Sequence, residues 1–180
     1  MADAKVQRVT DEARWYALRV FKGRIFRVRQ RIEDAGQKTY MAMRTVDRVE
    51  DGHLRYDEVQ IVPSLLFVKC PLNWLKSFKN ANPDDFMIYR DRGETEPTPI
   101  RDEEMSLFIF ITSTDHGRDV QYYGDTMPAE GERVRVTDGI YKGATGVVKR
   151  IKKDRKLLVA VEGVAVVAIS HIPLSYLEKI

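Results

Sequence analysis

The stretch Gly131-Glu-Arg-Val-Arg-Val-Thr-Asp-Gly-Ile-Tyr-Lys-Gly-Ala-Thr-Gly-Val-Val148 limits the fold more than any other part of the chain. Val134 and Val136 alternate, which puts both on one face of a pleated strand. Gly139, Gly143 and Gly146 fall where the chain must turn tightly and a Cβ would clash. Downstream, beyond the charged run Lys152-Lys-Asp-Arg-Lys156, residues 158–161 and 164–169 repeat the β-branched character, separated from each other at Gly163. Short strands with turns every ~8 to 12 residues point to a small all-β barrel. A helix is a poor alternative here, because β-branched side chains lose rotamer freedom in it and each interior glycine costs up to ~1 kcal/mol. The spacing therefore predicts a permanent barrel over residues 129–180.

Charge separates this block from the rest. Residues 1–129 hold 20 Lys+Arg against 21 Asp+Glu, whereas residues 130–180 hold 10 against 6. Between them, residues 112–119 and 124–129 are rich in turn formers and lack an apolar period, so residues 113–128 read as a linker. Residues 1–13 read as a flexible tail. The longest uncharged runs fall far short of the ~20 apolar residues of a membrane-spanning helix, and Met1 to Thr10 carry charges without an apolar core, so neither a membrane segment nor a secretory signal is expected. A single cysteine, Cys70, has no intramolecular partner, which fits a reduced, cytoplasmic protein.

The first 112 residues show a mixed pattern. Trp15 to Phe21 is short, aromatic and apolar, as a buried strand would be. From Arg24 to Ala35 the apolar Ile25, Val28 and Ile32 recur at helical spacing, and Gly36 is a natural stop. Thr39 to Asp47 and Leu54 to Ile61 flank Asp51-Gly52, a dipeptide suited to a type I′ hairpin turn. Pro63 to Cys70 reads as another buried strand, Leu72 to Phe78 as a short helix after Pro71, and Phe86 to Tyr89 as a strand. Arg101 to Ile111 reads as a helix with an acidic first turn, although Leu107 to Ile111 has the β-propensity of a strand. The fold class expected is α+β: an N-terminal α/β sandwich built on an antiparallel sheet, followed by an SH3-like barrel.

Catalytic constellations are hard to find. His53, His116 and His171 lie far apart with no ligand-type neighbour at metal spacing, no phosphate-binding glycine loop occurs, and Asp84-Asp85 and Glu103-Glu104 read as solvated or helix-capping carboxylates. No enzyme, metal or cofactor is expected. A binding role has more support. Arg24, Arg27 and Arg31 recur at i, i+3 and i+7 on the helix face opposite the apolar stripe, with Lys22 just before it and only Glu33 and Asp34 as local counter-charges. Such a row suits a phosphate backbone or exposed bases. In the barrel, residues 164–169 are apolar at nearly every position, so Val164, Val166 and Val167 are expected to include outward-facing side chains that meet a protein.

Residues 131–148 closely resemble the KOW motif of transcription and ribosomal proteins. With Trp15-Tyr16, Lys22-Gly23, the Asp51-Gly52 hairpin, the strand around Leu65 to Val68 and the run Pro97 to Glu104, nearly the whole of residues 14–180 resembles the NusG family of transcription elongation factors. The resemblance implies an NGN domain at 14–112 and a KOW domain at 129–180. It implies a monomer that binds RNA polymerase, touching the clamp helices with Leu65, Phe67, Phe86 and Tyr89 and the gate loop with Lys76, Ser77 and Phe78. It further implies contact of Lys22, Arg24, Arg27 and Arg31 with non-template DNA or nascent RNA. In the KOW domain, Tyr141, Val164, Val166 and Val167 would meet a ribosomal protein or termination factor. Where housekeeping members read Pro-Gly-Tyr, this chain has Pro63-Ser64-Leu65, which makes it more similar to specialised antiterminators of the RfaH and UpxY type acting on capsular polysaccharide operons. The alternatives are a housekeeping elongation factor and a ribosome- or RNA-binding KOW protein.

Overall fold

A computed structural model describes residues 12–180, so most of the tail expected over residues 1–13 lies outside the described residues. In chain order the elements are β1 (Arg14–Val20), α1 (Ile25–Asp34), β2 (Lys38–Tyr40), β3 (Met43–Glu50), β4 (His53–Gln60), β5 (Leu65–Cys70), α2 (Leu72–Ala81), β6 (Phe86–Ile88), α3 (Asp102–Ser113), β7 (Val120–Gly124), β8 (Glu132–Val136), β9 (Thr145–Ile151), β10 (Asp154–Val161), β11 (Ala165–Ile169) and β12 (Leu177–Lys179). The described residues divide into two compact units, one of residues 12–41 with 64–102 and one of residues 42–63 with 103–180.

The first unit is built on a four-stranded antiparallel sheet in the order β2-β5-β1-β6. The central pair β1 and β5 is in register at Ala17 opposite Phe67 and Leu18 opposite Leu66. Both strands are buried along most of their length, which is why their sequences run apolar without alternation. Helix α1 buries Ile25, Val28 and Ile32, the stripe that its spacing predicts. It ends in a Schellman turn: the amide of Gly36 donates to the Glu33 carbonyl and that of Gln37 to the Ile32 carbonyl, with Gly36 at φ 80°. Helix α2 starts after extended Pro71 and runs to Ala81, three residues beyond the expected end.

The second unit begins with the hairpin β3-β4, whose turn residues Asp51 and Gly52 have φ 51° and 75°, as a type I′ turn demands. Its first strand begins at Met43, and Thr39 and Tyr40, expected as part of it, belong to β2 of the other sheet. Leu107 to Ile111 is helical within α3. This helix is apolar nearly all round: Met105, Phe108 and Ile111 are buried, while Phe110 is partly exposed. The C-terminal strands form an antiparallel six-stranded sheet in the order β12-β8-β9-β10-β11-β7. Part of the span expected as linker is thus an edge strand, because Val120–Gly124 pairs with β11. Gly146 shows why that position excludes a side chain, since a Cβ there would lie 2.3 Å from the Leu158 carbonyl oxygen.

Candidate functional site

Helix α1 presents Arg24, Arg27 and Arg31 on one side, and the fold supplies a counter-charge that the local sequence does not show. Asp85, just before β6, is buried apart from 12% of its side chain and sits among all three guanidiniums, at 3.2 Å from Arg24, 2.9 Å from Arg27 and 3.2 Å from Arg31. Arg24 also donates to the Asp84 carbonyl, and Arg31 donates to the Asn82 side chain at 2.7 Å. Asp85 is therefore no solvated carboxylate but the hub of a clamp between α1 and the turn that follows α2. Glu33, the expected neighbour, is engaged elsewhere: its bonds from Arg29 and from Thr39 hold its carboxyl below the ordinary range. Three guanidiniums around one carboxylate leave two positive charges in excess, and the arginine side chains stay 41–60% exposed. Lys22 is exposed on the loop ahead, and Phe26 stands 64% exposed between Arg24 and Arg27 in sequence. Phe26 is missed by sequence reasoning because it lies off the apolar stripe. At about 100° per residue its ring points roughly 100° or more around the axis from the three arginines, so it is exposed on a different face of the helix.

The expected polymerase contacts divide in two. Leu65, Phe67 and Phe86 are at most 3% exposed and lie in the core of this structure. The reason is that β1 and β5 are covered on both faces, so a large apolar residue there is packed and not presented. Tyr89 and Phe78 are half-buried, and Lys76 and Ser77 are exposed. The ring of Phe78 stacks between Trp74 at 4.9 Å and Phe86 at 5.7 Å. Lys76 pairs with Glu96, and Ser77 donates to the Asn73 carbonyl at 3.0 Å. Met87 on edge strand β6 is 56% exposed and Phe21 39%, giving the first unit apolar surface that sequence reasoning does not single out.

The expected barrel contacts are all buried. Val164, Val166 and Val167 are at most 5% exposed, and every residue of β11 is covered. Val166 and Ala168 pack with Leu158, and Met127, Ile151 and Ala160 close over them. The coverage comes partly from the segment expected as linker, through Met127 and β7. Tyr141 is 4% exposed and its hydroxyl has no hydrogen-bond partner among the described residues. Burial pushes that phenol up to about 12, with the carboxylates of Asp119 and Asp115 adding to the effect. The apolar side chains this unit does present near the barrel turns are Ile140 and Leu174, 58% and 55% exposed. Elsewhere in the same unit, the amide of Glu162 in the β10-β11 turn donates to the carboxylate of Glu104 on α3.

Among the described residues no group of three or more His, Cys, Asp or Glu is arranged to hold a metal, and no helix is long and apolar enough to cross a membrane. Residues 13–109 match the protein family described as transcription termination factor nusG, and residues 130–163 match the KOW motif. The chain belongs to the NusG family. Members of this family are non-enzymatic transcription factors that act with RNA polymerase, and the chain has their general role in transcription elongation and antitermination. A structure of Thermotoga maritima NusG, titled for the interaction between its domains, is similar over 94% of this chain and 98% of its own, at 19% identity and a TM-score of 0.50. That likeness concerns the fold, an NGN domain followed by a KOW domain. No curated protein matches the chain.

Proposed function

We propose that this chain is a specialised NusG-family factor that binds RNA polymerase through an NGN domain at residues 14–112, bridges the clamp helices and the gate loop, and suppresses pausing or termination on particular operons such as those for capsular polysaccharides. A factor that binds both sides of the cleft favours the closed clamp over the open, paused one by the difference in its affinity for the two states. Tyr89 and Phe78, with exposed Met87 on β6, take the apolar part of this contact, and Lys76 and Ser77 the polar part. Leu65, Phe67 and Phe86 support them from the core.

The observation that carries this reading is the arginine row. Two positive charges in excess on one face of a helix suit a single strand of nucleic acid, the non-template DNA or the nascent RNA, lying beside a bound polymerase. The specialised role is supported by Ser64, which adopts φ 64° where housekeeping members place glycine. The KOW domain, residues 129–180, offers Ile140 and Leu174 to a ribosomal protein or termination factor. Co-purification from the reduced cytoplasm tests the whole: core polymerase subunits recovered with a monomeric chain are the expected result. Ribosomal RNA recovered without polymerase would overturn it in favour of a ribosome-binding KOW protein.

A further inference from the structure

The β3-β4 hairpin carries an interaction surface that neither the arginine row nor the polymerase contacts above use. Among the described residues its eight-residue strands pair only with each other, and a ribbon of this length reaches roughly 26 Å. A lone two-stranded ribbon is marginal in water unless something supports it. The support lies at its base. The turn at Gly117 runs so close to the Met43 carbonyl that a Cβ would come within 2.8 Å of it, and Arg118 grips the pair Asp47-Tyr56, bonding the carboxylate at 3.2 Å and lying 5.8 Å from the ring centre. Beyond that pair three more follow, Arg48-Arg55, Val49-Leu54 and Glu50-His53, then the turn.

The far end is apolar on one face. Val49 and Leu54 are cross-strand partners, 72% and 55% exposed, and Tyr56 on the same face as Leu54 is 62% exposed. Ionic pairs flank them, with Arg48 bonded to Asp57 and Arg55 to Glu50. Residues 43–60 hold five carboxylates, Asp47, Glu50, Asp51, Asp57 and Glu58, against three arginines, and two of those carboxylates stand at the apex. Glu50 is held by Arg55, and residues 48–55 carry two arginines against two carboxylates, so the tip has no positive excess to hold a phosphate backbone and a protein is the better partner. An exposed apolar pair crowned by acid fits a protein surface with an apolar groove and a basic rim.

We propose that the hairpin tip is a docking prong that inserts Val49 and Leu54 into a basic-rimmed apolar groove on RNA polymerase, a contact additional to those at the clamp helices and the gate loop. This rests on the polymerase reading above. The test measures binding of the full chain to purified core polymerase, for the wild type, the double variant V49S/L54S and the charge reversal E50K/D51K. Both variants change residues outside the pair held by Arg118, and thermal melting confirms that the remainder is folded. The prong requires each variant to bind at least ~10-fold more weakly, with the charge reversal also flattening the salt dependence. Equal binding by wild type and variants overturns the prong and leaves the polymerase reading standing. No binding by the wild type overturns both. Duplex DNA binding that the serine variant abolishes would show that the tip meets nucleic acid, and would also overturn the proposal.

Discussion

Replacing Asp85 by Asn separates the two roles of the arginine row, because the amide keeps the shape of the hub and removes its charge. Three arginines contact this carboxylate at 2.9–3.2 Å, and the carboxylate is 12% exposed while its partners are half-exposed. Ion pairs open to solvent on one side contribute roughly 0.5 kcal/mol each, so losing three is expected to destabilise the chain by about 1–2 kcal/mol. At roughly 2–4 °C per kcal/mol for a chain of this size, Tm should fall by about 2–8 °C. The effect on nucleic acid should have the opposite sign. Released from Asp85, the guanidiniums gain one net positive charge, so binding of a single-stranded oligonucleotide should tighten at low salt. The slope of log K against log salt should steepen by about 0.7 for each added phosphate contact. Melting and fluorescence anisotropy over a salt series measure the two effects on one preparation. A destabilised variant whose salt slope is unchanged would show that the row is a structural clamp only. An undisturbed Tm would show that the three contacts do not hold the helix.

Ser64 is a left-handed residue at φ 64°, a conformation that costs a non-glycine residue roughly 1–2 kcal/mol, so Ser64→Gly should raise stability by roughly 0.5–1 kcal/mol after the extra chain entropy of glycine is subtracted; urea unfolding measures it. Phe67 is fully buried, so Phe67→Ala should cost about 3–5 kcal/mol in the same experiment, and a loss below about 1 kcal/mol would contradict its place in the core. Tyr141→Phe removes a buried hydroxyl that has no partner and should stabilise the second unit by about 1 kcal/mol. The Cys70 thiol and the Tyr141 phenol are both pushed up to about 12, from 9.0 and 10.0. The folded chain therefore holds protons that the unfolded chain releases, so their stabilising effect is full below pH 9 and should be lost progressively as pH rises from 9 to 12. Stability that stays flat over that window would contradict the burial of both groups.

What is legible in the sequence is local. The stripe Ile25, Val28, Ile32, the stop at Gly36 and the type I′ turn at Asp51-Gly52 each depend on neighbours a few residues apart, and each is present. What depends on distant pairing is not legible. Asp85 lies 54 to 61 residues from the arginines it joins, so in sequence the row looks short of counter-charges. The run over residues 164–169 reads as a strip with a free face because its cover, Met127 and Val120–Gly124, lies in a segment whose sequence has no apolar period. The contact role of Leu65 and Phe67 comes from the resemblance alone, while their apolar run says that the strand is buried but not what covers it. Exposure, in contrast, is invisible in sequence, and Phe26, Val49 and Leu54 stand out only in three dimensions.

The central claim is that the chain changes how RNA polymerase moves. Single-round transcription with purified core polymerase, on a template carrying a strong pause site and an intrinsic terminator, tests it most directly. Adding the full chain should shorten the pause and raise read-through in proportion to its occupancy of the polymerase. The effect should weaken when Arg24, Arg27 and Arg31 are replaced together by alanine. Pause lifetimes and read-through that remain unchanged at saturating protein would contradict the account.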